Sequence, residues 1–112
     1  MPAVFETLSS TLFRNTWTLT GSASVGDPWQ PPCSLAVSSV QIVGDFGDSS
    51  VSLEVSNNGE DWVPLNDKNG VEISASSPSM YDISSAAAFV RARLFDGSSE
   101  SVQVSLVAWA AL

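Results

Sequence analysis

The stretch Val51-Ser52-Leu53-Glu54-Val55-Ser56-Asn57-Asn58-Gly59-Glu60-Asp61-Trp62-Val63-Pro64-Leu65 decides the fold. Val51, Leu53 and Val55 alternate with Ser52, Glu54 and Ser56, the two-residue period of a strand with one face in a core. Asn57-Asn58-Gly59 then offers residues that tolerate positive φ, and so predicts a hairpin turn. Trp62 comes back on the returning side and packs over the hairpin. Pro64 confines that side to a sheet edge or a strand end, because proline donates no ladder hydrogen bond. The side chains of Ser56, Asn57 and Asp61 are placed to tie the turn backbone through Asx-type hydrogen bonds.

The same alternation recurs outward in both directions. Asn15 to Thr20 sets Thr16, Thr18 and Thr20 against Trp17 and Leu19. Leu35, Val37, Val40 and Ile42 alternate with a phase break at Ser38-Ser39, which predicts a bulge or bend; Gly44 to Asp48 is a turn. Asn66 to Gly70 is another turn, followed by a short strand over Val71 to Ala75. Ser76 to Ser85 reads as loop, with a strand fragment at Tyr81-Asp82-Ile83. Phe89, Arg91, Arg93 and Phe95 then face away from Val90, Ala92 and Leu94. Asp96 to Ser99 turns the chain, and Val102, Val104, Leu106 and Ala108 point inward along the last strand. No window sustains a 3.6-residue apolar period. Short strands punctuated in this way predict an all-β protein, an antiparallel two-sheet β-sandwich of jelly-roll-like form.

Two segments are less determined. Val4, Leu8 and Leu12 fit a helical face, but the Thr and Ser between them are poor helix-interior residues. An extended N-terminal arm, residues 1–14, is the preferred reading, ahead of a single domain over residues 15–112. Residues 21–34 form a loop rich in glycine and proline, which cannot supply a full hydrogen-bond ladder. Trp29 inside it is either a lid over the core or an exposed contact.

Composition narrows the function. The chain of 112 residues carries 12 acidic and 4 basic side chains, a net charge of −8. Arg14, Lys68, Arg91 and Arg93 form no basic run, which argues against nucleic acid and against anionic membranes as partners. Only 14% of residues are charged, against about a quarter in typical soluble domains. A surface with so few charges fits one that a neighbouring molecule covers. With a single Lys, and Pro64 the one proline inside a strand, the sheet edges also lack the usual protection against pairing with another chain. Cys33 has no disulfide partner, as in a protein assembled in a reducing compartment, and reads as an inert thiol. Residues 1–13 contain no Lys or Arg, and Glu6 interrupts the apolar run, so no signal peptide is expected.

The chemistry of catalysis is largely missing. With no histidine in the chain, Ser-His triads, Cys-His dyads and most zinc or iron sites are removed together. No Gly-rich phosphate loop with its Lys occurs. Asp45 and Asp48, or Asn57, Glu60 and Asp61, put hard oxygen donors on turns, but their spacing matches no EF-hand loop, and solvated turn carboxylates are the preferred reading. The expectation is a non-enzyme without cofactor or metal.

The Ser56-x-Asn58-Gly59-x-x-Trp62 hairpin, followed by Phe89-Val90-Arg91-Ala92-Arg93 and a Val-rich last strand, resembles a pattern found in small β-sandwich proteins of tailed-phage particles. It is similar also to discoidin-like, galactose-binding-type domains. The resemblance covers about residues 50–109 and leaves residues 1–34 unmatched. Chain length, acidity and scarce charge lean toward the phage group. There the resemblance implies a head decoration, or cement, protein that sits on the capsid surface of the virion. It would bind the major capsid protein as a homotrimer after synthesis in the host cytoplasm. The unmatched N-terminal residues would be the natural place for particle-specific contacts.

Candidate interface residues are Val4, Phe5 and Leu8 of the arm, Trp29 of the loop, Phe89, Arg91, Arg93 and Phe95 of one strand face, and Trp109. Arg and aromatic residues are enriched at interfaces. In so acidic a chain the two arginines are also expected to pair with carboxylates of a neighbouring strand or subunit. Two alternatives stand beside the decoration role. One is a carbohydrate-binding module that stacks sugar rings on Trp29 or Trp62. The other is a tail or neck component of the same kind of particle.

Overall fold

A computed structural model describes residues 3–8, 12–21, 25–33, 35–95 and 101–109. Among the described residues nine strands carry the fold: β1 (Ala3–Thr7), β2 (Leu12–Thr20), β3 (Leu35–Gly44), β4 (Ser50–Ser56), β5 (Val63–Pro64), β6 (Ser74–Ala75), β7 (Ser79–Ser85), β8 (Phe89–Phe95) and β9 (Ser101–Trp109). They pair antiparallel in two sheets. Sheet 1 has the order β1-β2-β9-β3-β7; in sheet 2, β4 pairs β8 on one side and the short β5 and β6 on the other. The chain changes sheet after β3, β6, β7 and β8, the alternation of a jelly-roll-like sandwich.

The alternating residues meet between the sheets. Trp17, Leu19, Val40, Ile42, Val102, Val104 and Leu106 from sheet 1 are fully buried against Val51, Leu53, Val90 and Ala92 from sheet 2. This is the inward set expected from the sequence, and it follows from the two-residue period of a pleated strand. The phase break in β3 is real and falls slightly earlier than expected. Register shifts between Leu35 and Ser38, so Val37 turns outward and Ser38 turns in, its hydroxyl donating to the Leu35 carbonyl at 2.8 Å.

Three expectations change. Residues 3–7 are extended as the arm was expected to be, but they are paired: β1 lies along β2 in register from Ala3 opposite Trp17 to Thr7 opposite Phe13. The segment read as loop before Ser85 is largely strand, since β7 closes one edge of sheet 1 from Ser79 onward. The loop at 25–29 extends sheet 2, with Gly26 N–H donating to Ala92 O and Trp29 exchanging two backbone bonds with Val90 at 2.8 and 2.9 Å. The prolines beside it withhold donors only where no ladder is needed. Gly26 is required there because a Cβ at that position would collide with the Trp17 ring, whose indole N–H donates to Asp27 O at 2.8 Å. The turn expected at Asp96 to Ser99 lies outside the described residues.

Candidate functional site

The nine candidate interface residues divide among three places. Phe89, Arg91, Arg93 and Phe95 lie on the outer face of β8, opposite Ser56, Glu54, Ser52 and Ser50 of β4. Arg91 Nε donates to Glu54 Oε1 at 2.9 Å, and Arg93 Nη1 stands 3.6 Å from Glu54 Oε2. The Arg91 guanidinium lies 4.2 Å from the centroid of the Trp62 ring, and that of Arg93 lies 4.9 Å from the Phe95 ring. The arginines thus find their carboxylate on a neighbouring strand of the same chain. An aromatic–cation–anion–cation–aromatic row crosses sheet 2, each cation held by charge on one side and by a ring face on the other. Arg93 and Phe95 keep substantial solvent exposure in this row, whereas Arg91 and Glu54 keep little.

The hairpin beside the row is built around Asn58 rather than Asn57. Pairing resumes at Val55–Val63, so Ser56 to Trp62 forms a wide loop instead of a two-residue turn. Asn58 Oδ1 accepts from the Ser56 hydroxyl and from the Glu60 and Asp61 N–H groups, and Asn58 Nδ2 donates to Asp61 Oδ2. Asn57 Oδ1 reaches across to accept from Ala88 N–H at 3.0 Å. Of the oxygen donors weighed for calcium, Asp61 Oδ2 and Asn57 Oδ1 are engaged in these bonds. Among the described residues no group of three or more His, Cys, Asp or Glu side chains is gathered for a metal.

The second place is the open side of β1. Phe13, Phe5, Trp29 and Trp17 form a continuous aromatic run: Phe5 stacks on Phe13 at 6.2 Å, touches Trp29 at 5.8 Å, and Trp29 meets Trp17 edge-on at 6.5 Å. Trp29 is only 7% exposed and packs in the core, so of its two open readings the lid holds and the exposed contact does not. Phe5 and Leu8, at 48% and 44%, remain open. Cys33 packs beside the same core, and burial pushes its thiol pKa up.

The third place is the outer face of sheet 1, which holds Val4 and Trp109. One row across all five strands runs Val4, Thr16, Ser105, Gln41, Met80. The next runs Glu6, Arg14, Val107, Ser39, Asp82. Trp109 lies opposite Leu12 and is half exposed. Apart from the Glu6–Arg14 pair at 2.9 Å and Asp82, these rows carry no charge. Met80, 63% exposed, lies on a segment that the sequence predicts as loop, and the alternation of Met80, Asp82 and Ser84 with Tyr81 and Ile83 is the signal of its strand.

No protein-family model matches the chain, and no curated protein matches it by sequence. Among solved structures, the chain is similar to the SPBc2 prophage-derived protein YomS, with a TM-score of 0.60, 11% identity, and coverage of 91% of this chain and 98% of that one. A chain of the cyanophage Pam1 capsid asymmetric unit matches with a TM-score of 0.41 at 12% identity, over 95% of this chain and 91% of that one. A carbohydrate-binding module of Cellvibrio mixtus lichenase 5A, in complex with cellotriose, gives 0.34 at 10% identity, over 97% and 88%. The likeness to YomS is one of fold.

Proposed function

We propose that this chain is a non-enzymatic virion structural protein, a head decoration or cement protein that binds the outer face of a phage head lattice and stabilises it as a homotrimer. The observation that carries the reading is the outer face of sheet 1: five strands wide, almost without charge, and dressed in Thr, Ser, Val, Gln, Met80 and Trp109. A face of this kind meets a protein surface at little desolvation cost, since it has few ions to strip of water. The fold held in common with a prophage-derived protein supports the phage setting that the hairpin resemblance implies. Each contact on a lattice need only be weak, because many copies act together. The major capsid protein is the proposed partner, at the surface of the virion.

The test has two arms. Mass photometry of the purified protein at micromolar concentration should give a discrete trimer, and the protein should cosediment with purified heads of the phage that encodes it. A clean monomer that leaves the heads bare would sink the proposal. Density at the neck or tail in a particle map would move the chain to that position instead. Sugar binding on a tryptophan has less support, because Trp29 is buried and one face of Trp62 is covered by Arg91.

A further inference from the structure

The chain contains two Asn-Gly sequences, Asn58-Gly59 and Asn69-Gly70, both in exposed loops and both with glycine at positive φ, +76° and +84°. Asn-Gly is the sequence in which the following backbone nitrogen most easily reaches the side-chain carbonyl carbon, because glycine puts no side chain in the way. The two sites differ in what holds the asparagine amide. Around Asn58, the carbonyl oxygen accepts from Ser56 Oγ at 2.9 Å, Glu60 N at 2.8 Å and Asp61 N at 2.9 Å, while Nδ2 donates to Asp61 Oδ2 at 2.9 Å. Gly59 N–H is itself committed to Ser56 Oγ at 2.9 Å. Turning this amide toward Gly59 N breaks the whole set.

Asn69 is free of such ties. The bracket of its turn is made by Asp67, whose Oδ1 accepts from Asn69 N at 2.8 Å and Val71 N at 3.0 Å, and whose backbone bonds to Val71 O and from Gly70 N close the loop. The Asn69 side-chain amide has no hydrogen-bond partner among the described residues. A Cβ at Gly70 would meet nothing within 4 Å, so the space around the nucleophile is open. Among the described residues, the one hydrogen bond that holds the Gly70 N–H is to Asp67 O at 3.0 Å.

From this contrast we infer that Asn69 is a site of spontaneous succinimide formation and deamidation, and that Asn58 is protected. Gly70 N loses its proton to solvent base and bonds to Asn69 Cγ. The Cγ–Nδ2 bond breaks and ammonia leaves. Water then opens the ring at either carbonyl, giving an aspartyl or isoaspartyl residue at position 69. Each product adds one negative charge beside Lys68, which makes no ion pair among the described residues. The isoaspartyl form also lengthens the backbone of a turn that is fastened to β7 by Lys68 N–H donating to Asp82 O at 2.8 Å. Ageing therefore loosens the edge of sheet 1 that carries Met80.

The experiment incubates the full chain at mildly alkaline pH and reads both sites by peptide mapping, with fragmentation that separates isoaspartate from aspartate. A urea-unfolded sample serves as the reference in which both sites react. In the folded chain position 69 should convert about tenfold or more faster than position 58, since several hydrogen bonds must be lost at Asn58 and one at Asn69. Ser56→Ala should release Asn58 and leave the rate at 69 unchanged. Equal rates at the two sites, reaction at 58 first, or no reaction at 69 over the time in which the unfolded chain converts would each overturn the inference.

Discussion

The two outward faces of the sandwich solve the same problem in opposite ways. On sheet 2, long side chains are spent on one another: Glu54 holds Arg91 and Arg93, and Trp62 and Phe95 cover the cations. On sheet 1, Thr, Ser and Val side chains cover most of five strands, with Gln41, Met80 and Trp109 among them, and the Thr16 and Ser105 hydroxyls stand 3.5 Å apart across the middle. A face whose charges are already paired has little left to offer a partner. A nearly uncharged face loses little when water leaves it. The arginine strand, attractive as an interface from composition alone, thus spends its charges within the chain, and the proposed docking rests on the plainer sheet.

The largest effect that would break this comparison comes from a charge at the centre of the plain face. Ser105 lies on β9, the middle strand of sheet 1. Ser105→Arg should leave the melting curve nearly unchanged and reduce trimer formation or head binding by about a hundredfold or more, because a buried unpaired charge at an interface costs several kcal/mol. Normal assembly of this variant would shift docking to another surface. Next in size is Glu54→Ala, which leaves two guanidinium groups side by side without their carboxylate. Urea denaturation should show a loss of roughly 2–3 kcal/mol at unchanged m-value. Assembly by the folded fraction should be retained, which separates this face from the other.

How far the sequence reaches is visible in the same residues. The inward residues of β4, β8 and β9 are read directly, because burial of every second side chain is a local consequence of the pleat. The Arg91–Glu54 pair is half legible: charge scarcity demands a carboxylate partner, but register alone selects Glu54. Pairing in space is what the sequence hides. Nothing local says that β1 folds back on β2, that the 25–29 loop joins sheet 2 through Trp29, or that Asn15 is buried with no partner for its Nδ2 among the described residues. In the Ser56 to Asp61 loop the residue types are right and the hub is off by one, since Asn57 and Asn58 offer the same chemistry and only the loop width decides between them.

The smallest effect is the most discriminating, because it compares like with like. Glu6–Arg14 on sheet 1 has the same 2.9 Å separation as Arg91–Glu54 on sheet 2, yet its side chains are about 40% exposed against 19% and 13%. Water screens the first pair and is largely kept from the second, and among the described residues no aromatic ring lies over the Arg14 guanidinium as Trp62 lies over that of Arg91. Glu6→Ala should therefore cost at most about 1 kcal/mol, and the loss should shrink further with added salt. The Glu54→Ala loss should respond much less to salt. If the two variants lose the same stability and fade equally with salt, the ring-covered row is no better held than an ordinary surface pair, and the contrast between the faces disappears.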